Sequence, residues 1–360
     1  MRDKLPFEIK KRQNPSGLGV ITVSFFALLG AFLVASIVFW AYGVNPIQAY
    51  IVLFSGAFGG IYEISETVRR AIPLMLAGVG LVVAFRAKFW NIGAEGQLLL
   101  GATAATWVAL FSPFPDFLLI PGMFFFGFLG GALWGLVPAI LKSKLGINDV
   151  ITTLMMNYIA INLILFLVQG PWKGKHQWGF PYTDKFPESA QLGTIAGTNV
   201  HWITLIVGII SAVLIYFFIN KTTPGFEIRV LGSSPSAGRF AGMSYVKTSL
   251  LVMAISGGLA GLAGVGEVAG IHHMLRNPSE LSLGYGYTAI IVAWLARENP
   301  IAVIMTSLFF GAILAGGDTI KISLGLPFQI TDVFSGLILF FLIGSEILMG
   351  YKIRWSPNND

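Results

Sequence analysis

The placement of charge constrains this chain more than any other feature of its sequence. No Asp, Glu, Lys or Arg occurs between Arg12 and Glu63, and the apolar stretch 18–41 inside that gap is long enough to cross a hydrocarbon layer of about 30 Å, which takes ~20 residues of helix. Nine further apolar runs follow, near 71–85, 96–112, 117–141, 150–169, 202–219, 248–266, 281–296, 300–317 and 329–345. A backbone in lipid must satisfy its own hydrogen bonds, which favours helices. The pattern therefore predicts an all-α, polytopic transmembrane helical bundle of about ten spans. Residues 1–360 form one transmembrane domain. The first run is too long for a signal-peptide core and no small-residue cleavage site follows it, so it reads as a retained helix. The run at 281–296 is the short one, and Gly284-Tyr285-Gly286 at its start leaves open a re-entrant segment.

Composition supports this solvent. Only 11% of the residues are charged and 55% are hydrophobic, whereas a soluble domain carries about 25% charged residues. The net charge of +6 does not point to nucleic acid, because the basic residues fall in short clusters between apolar runs and build no basic face. They work instead as a topology signal. With the N-terminus inside and ten alternating spans, sixteen of the 23 Lys and Arg lie on the cytoplasmic side and seven on the other. Both termini are then cytoplasmic. The segment 1–17 is an inner tail, 170–200 an outer loop and 221–247 an inner loop. Arg69 and Arg70 are the exceptions to the rule, and their spacing from Glu63 and Glu66 predicts pairing on a short surface helix. The absence of Cys excludes a disulfide framework and a thiolate metal site.

Spans 2–5 and 7–10 would enter the membrane from opposite sides, and each half opens a span on a glycine-interrupted segment: Asn91-Ile92-Gly93-Ala94-Glu95-Gly96-Gln97 and Gly284-Tyr285-Gly286-Tyr287. Such breaks at corresponding positions of inverted repeats point to a substrate pathway. A carboxylate in hydrocarbon costs roughly 2.5–3.5 kcal/mol on insertion scales, so Glu95 needs a partner or a wet cavity. Asn91, Glu95 and Gln97 either line the pathway or hold a broken helix together. Asn157, within the semi-polar patch Met155-Met156-Asn157-Tyr158, is a candidate interhelical hydrogen-bond donor.

In the inner loop, Ser234 suits an N-cap, Pro235 the first helical position and Gly242 a C-terminal stop. These signals predict a helix of about seven residues carrying Ala237, Phe240 and Ala241 as an apolar stripe beside Arg239, the form needed to dock into a partner's groove. The outer loop is rich in aromatics and proline, among them Trp172, Trp178, Phe180 and Pro181, and reads as an ordered cap or as a docking surface. Glu267, His272 and His273 cluster after span 7, but adjacent His side chains diverge on a helix and supply no metal-ligand spacing. No GxxxxGK[ST], GxSxG or HExxH occurs, which disfavours ATP binding and hydrolysis by this chain. The small number of intramembrane acids likewise disfavours an ion-coupled secondary transporter.

The segment Phe89 to Gln97 resembles the FNIGAEGQ signature of ABC-importer permeases for nucleosides and simple sugars, within the wider group of ribose and branched-chain amino acid permeases. Thr152–Ala160, Gly232–Met243 and Gly284–Pro300 agree with it, and the resemblance runs from about residue 20 to 350. Trp90 stands where that family often has Phe, and Thr288 where many members carry Asp. The resemblance implies a bacterial cell-membrane uptake system with two permease subunits, often different chains. A cytoplasmic ABC ATPase would hold the ATP and Mg, with no cofactor in this chain. A lipid-anchored or periplasmic binding protein would deliver nucleoside or sugar. It further implies that Ser234, Pro235, Ala237, Arg239, Phe240 and Met243 form the coupling helix, and that Asn91, Glu95, Gln97, Asn157, Tyr285, Tyr287 and Thr288 lie on the substrate pathway.

Overall fold

The computed structural model describes residues 7–11, 17–177, 179–327 and 329–355, so Trp178 and most of the segment 1–17 lie outside the described residues. In chain order the elements are β1 (Phe7–Lys11), α1 (Gly17–Ala41), α2 (Pro46–Phe58), α3 (Ile61–Arg86), α4 (Ala94–Phe111), α5 (Asp116–Leu145), α6 (Asp149–Gln169), α7 (Trp202–Lys221), α8 (Thr223–Ser233), α9 (Pro235–Phe240), α10 (Tyr245–Gly266, continued by a π-helical stretch Glu267–His272), α11 (Pro278–Leu281), α12 (Tyr285–Leu295), α13 (Pro300–Leu324), α14 (Ile330–Gly350) and β2 (Tyr351–Trp355). They group into two compact units, one of residues 57–315 and one of residues 1–56 with 316–360.

Every expected apolar run is helical, but not every run is a helix of spanning length. Among the described residues six helices are long and apolar enough to cross a membrane, or seven if α1 and α2, bent by 113°, count as one. The clearest shortfall is α12, whose 11 residues rise only about 16 Å. The purely helical expectation is also amended: β1 pairs with β2 in antiparallel register from Phe7↔Trp355 to Lys11↔Tyr351. That pairing brings the segments 7–11 and 351–355 together.

In the unit of residues 57–315, α3 and α10 are the central helices. Their apolar windows are 83% and 78% buried, against 33%, 28% and 22% for α5, α6 and α7. Glycines let the inner helices touch backbone to backbone. A Cβ on Gly101 of α4 would lie 2.2 Å from Cα of Gly261 on α10, and one on Gly131 of α5 would lie 2.1 Å from the carbonyl of Gly257. The small-xxx-small spacings Gly127/Gly131 and Gly257/Gly261 supply van der Waals contact where lipid offers no hydrophobic drive.

Two features depart from expectation. Helix α3 begins ten residues ahead of its apolar run, so Glu63, Glu66, Arg69 and Arg70 occupy its first turns and form no separate surface helix. The anticipated pairing is present: Arg69 reaches Glu66 at 2.7 Å. The stretch 221–247 holds two helices, α8 and α9, where one was expected. Helix α8 is capped by Thr222, whose hydroxyl accepts the Gly225 amide at 3.2 Å. The described part of the stretch 170–200 forms an ordered cap on the end of α10. Thr183 donates its amide to the Leu275 carbonyl (3.0 Å), Phe186 to His273 (2.8 Å) and Leu192 to Ala269 (2.9 Å).

In the second unit α1 packs along α14, with Phe32 meeting Phe334 edge-on at 5.1 Å between ring centres. Helix α2 follows a turn at Gly43, whose φ of +76° lies in the left-handed region that glycine enters without a Cβ penalty.

Candidate functional site

The break before α4 is built from polar side chains that satisfy one another and the freed backbone. Asn91 is fully buried. Its amide nitrogen donates to Gln97 Oε1 and to Ser256 Oγ, both at 2.9 Å, and its oxygen accepts the Gly93 amide at 3.0 Å and Gln97 Nε2 at 3.1 Å. Asn157 of α6, also fully buried, accepts the Gly96 amide at 2.9 Å and donates to the Ile92 carbonyl at 2.9 Å and to the Tyr287 hydroxyl at 3.2 Å. One Asn thus closes both sides of the break, as an amide with a donor and an acceptor can. Two residues that sequence reasoning missed complete the clamp. Asp149, paired with Lys142, accepts the Trp90 amide at 2.7 Å, and the Thr153 hydroxyl accepts the Ile92 amide at 3.2 Å. Asp149 carried a signal, an acid opening an apolar run, but its partner lies 59 residues away.

The break before α12 meets the first. Glu95, in the first turn of α4, accepts the Ser282 hydroxyl and the Gly286 amide at 2.8 Å. Its carboxylate thereby caps a helix N-terminus, where negative charge is favoured. This answers the need for a partner inside the membrane. The approach requires glycine: a Cβ on Gly286 would lie 2.3 Å from the Glu95 amide nitrogen. Gly284, the N-cap of α12, has φ +73°. Tyr285 is buried, and Arg70 donates to its hydroxyl at 3.4 Å.

The seven pathway candidates therefore divide. Asn91, Glu95, Gln97, Asn157 and Tyr285 are buried and bonded within the chain, holding the two breaks. Tyr287 is 39% exposed and Thr288 half-buried. These two residues on the first turn of α12 reach the surface of the chain.

The six coupling candidates form one small structure. The Ser234 hydroxyl accepts the Ala237 amide at 3.3 Å, Pro235 opens α9, and Met243 donates its amide to the Gly238 carbonyl at 3.0 Å. Gly238 is the buried side of α9 and packs on Leu231 of α8. Ala237, Arg239 and Phe240 point away, and Phe240 is 99% exposed. Helix α8 in turn lies against the end of α3, since a Cβ on Gly232 would fall 2.0 Å from the Arg86 carbonyl. The Arg86 guanidinium donates to the Glu298 carbonyl at 3.0 and 3.1 Å and faces the Glu298 carboxylate at 3.5 Å. Glu298 lies three residues past the end of α12.

The acidic and His cluster after α10 is split. Glu267 and His272 approach to 3.9 Å, while the His273 ring turns to the Ala269 carbonyl at 3.0 Å. His201, the N-cap of α7, is fully buried. Burial, with the Arg69 and His273 charges, pulls its pKa down to about 4.

Comparison with known proteins places this geometry. Residues 63–343 match the family model described as the permease component of branched-chain amino acid transport systems. The glucose ABC transporter permease protein TsgB13 of Haloferax volcanii is 35% identical, the match covering 94% of this chain and 89% of that protein. The chain belongs to this permease family. The guanosine ABC transporter permease protein NupP of Bacillus subtilis is 33% identical over 94% of this chain and 96% of its own length. A second guanosine ABC transporter permease protein of the same species, NupQ, is 28% identical over 69% of the chain and 79% of its own length. The permease is thus a membrane transport subunit of the branched-chain and ribose type of ABC importer, not an enzyme.

Proposed function

We propose that the permease forms half of the translocation pathway of an ATP-driven uptake system for nucleosides in the bacterial cell membrane, with both termini inside. The observation that carries the coupling is the capped six-residue helix α9, which would be too short to hold in isolation, since isolated helices below about 12–15 residues are marginal, yet presents Phe240 almost wholly bare. A separate cytoplasmic ATPase grips Arg239 and Phe240. Closure of two such ATPases pushes α9 and α8 against Arg86, and Arg86 passes the displacement through Glu298 to α12. Because the other end of α12 is tied to both breaks, by Glu95 at Gly286, by Asn157 at Tyr287 and by Arg70 at Tyr285, the two helix breaks rearrange with it and open the pathway alternately, Tyr287 and Thr288 facing the solute. The relation of α4 to α12 supports the inverted-repeat reading. A second permease supplies the opposite wall, which the occurrence of both NupP and NupQ in one species supports. An outer binding protein delivers the solute to the capped side.

Guanosine relatives support a nucleoside; the 35% identity to a glucose permease protein supports a hexose as the second reading. Uptake of radiolabelled guanosine and glucose by cells expressing the complete system decides between them. Uptake that survives loss of the ATPase but collapses with a protonophore would refute the ATP-driven mechanism. Co-purification of the ATPase should fall sharply on Arg239→Glu with Phe240→Glu.

A further inference from the structure

Helix α6 carries two stripes on the exposed part of its surface, and they differ in kind. Ile159, Leu163 and Phe166 are exposed and wholly apolar. Alongside them, Met155, Tyr158 and Asn162 are exposed too, yet this stripe brings a phenol and a carboxamide to the middle of a 21-residue helix. Asn162 donates to the Tyr158 carbonyl at 2.8 Å, a bond along its own helix that leaves the face of both side chains outward. Polar groups at the centre of the bilayer face protein or water and not lipid. This stripe adjoins the break: Asn157, next to Tyr158, donates to the Tyr287 hydroxyl at 3.2 Å, and Tyr287 is itself exposed. No Asp, Glu, Lys or Arg occurs from Val150 to Trp172 or from Tyr285 to Ala296.

From this we infer that Tyr158 and Asn162 of α6, with Tyr287 of α12, form this subunit's wall of the pathway at the bilayer midplane and select an uncharged solute rich in hydroxyl groups. The inference rests on the permease reading above and deepens it. Two phenols offer flat apolar faces with hydroxyls that donate and accept, and the carboxamide adds one donor and one acceptor group. Those suit a ribose or hexose, or the edge of a base. An amino acid zwitterion would instead bring an ammonium and a carboxylate, each of which needs a charged or strongly dipolar partner when buried, and the side chains of this wall offer no charge.

The chain has no cysteine, so single-cysteine variants report water contact directly. In membranes holding the complete transporter, Tyr158→Cys and Asn162→Cys should react with a small water-soluble maleimide at least tenfold faster than Leu163→Cys, because only a hydrated thiol ionises and attacks. Rates equal to that of Leu163→Cys would overturn the assignment of the stripe to the pathway, whatever the solute. Uptake tests the class: Tyr158→Leu and Asn162→Leu should assemble and melt as wild type while the KM for guanosine or glucose rises about tenfold or uptake is lost. Wild-type KM and rate in both variants, or uptake of leucine by the wild-type system, would overturn the proposal. A wild type that shows no ATP-dependent uptake of any of the three, with the thiols still reactive, would instead count against the ATP-driven reading.

Discussion

Replacing Asn157 by Ala is the sharpest test of how the broken helix is held. The side chain satisfies the Gly96 amide and the Ile92 carbonyl, each at 2.9 Å, from a fully buried position. Leaving a buried polar group unpaired costs about 1–3 kcal/mol, so two orphaned backbone groups put the loss at roughly 2–6 kcal/mol. The bond to Tyr287 adds less, because that hydroxyl lies on a partly exposed residue. The assay is reversible unfolding of the purified permease in mixed micelles, with Asn162→Ala as control: it is the same residue type on the same helix, but exposed and bonded only to its own helix. The control should differ little from wild type. A loss for Asn157→Ala below about 1 kcal/mol, less than one unpaired group is expected to cost, would refute the clamp.

Other outcomes follow from the same geometry. Gly131→Val should destabilise by more than the ~1–3 kcal/mol of ordinary overpacking, since even its Cβ meets a carbonyl at 2.1 Å; thermal melting would show it. Ser234→Ala removes the cap of α9, worth about 0.5–2 kcal/mol, and should speed amide exchange across 235–240 while the exchange of α10 stays unchanged. His201, held down to about 4, binds its proton more weakly folded than unfolded, where the ordinary value is about 6.5. Its contribution to stability is therefore complete above that value and lost as pH falls from there toward 4, a slope that His201→Gln should flatten in melts taken across that range.

Much of this design was legible in the residues because charge and capping are local signals. The gaps between charged residues located the helices, and Ser234-Pro235 with Gly242 marked α9 within one residue of its observed length. The glycines and polar residues at 91–97 marked the first break, and the spacing of Glu66 and Arg69 gave their ion pair. What could not be read was set by distant parts of the chain. Helix α2 is apolar and only 13 residues long, so periodicity alone does not separate it from a turn between spans. The spacings Gly127/Gly131 and Gly257/Gly261 stand in the sequence, but which helices they join depends on tertiary packing. Asn91 and Gln97 admitted both a pathway role and a role in holding the break, because buried amides and solute-facing amides look alike in a sequence; the structure adds their partners, Ser256 and each other. Tyr158 stood in the semi-polar patch 155–158 without a direction, and it is the burial pattern of α6 that shows it facing outward.

The account's central claim is that α9 stands on the cytoplasmic side, free for an ATPase to grip. A single Phe240→Cys in this cysteine-free chain measures it, by reaction with a membrane-impermeant maleimide in intact cells and in inside-out vesicles. The account predicts modification in the vesicles alone, and protection there once the ATPase is bound. Modification from outside intact cells would contradict it.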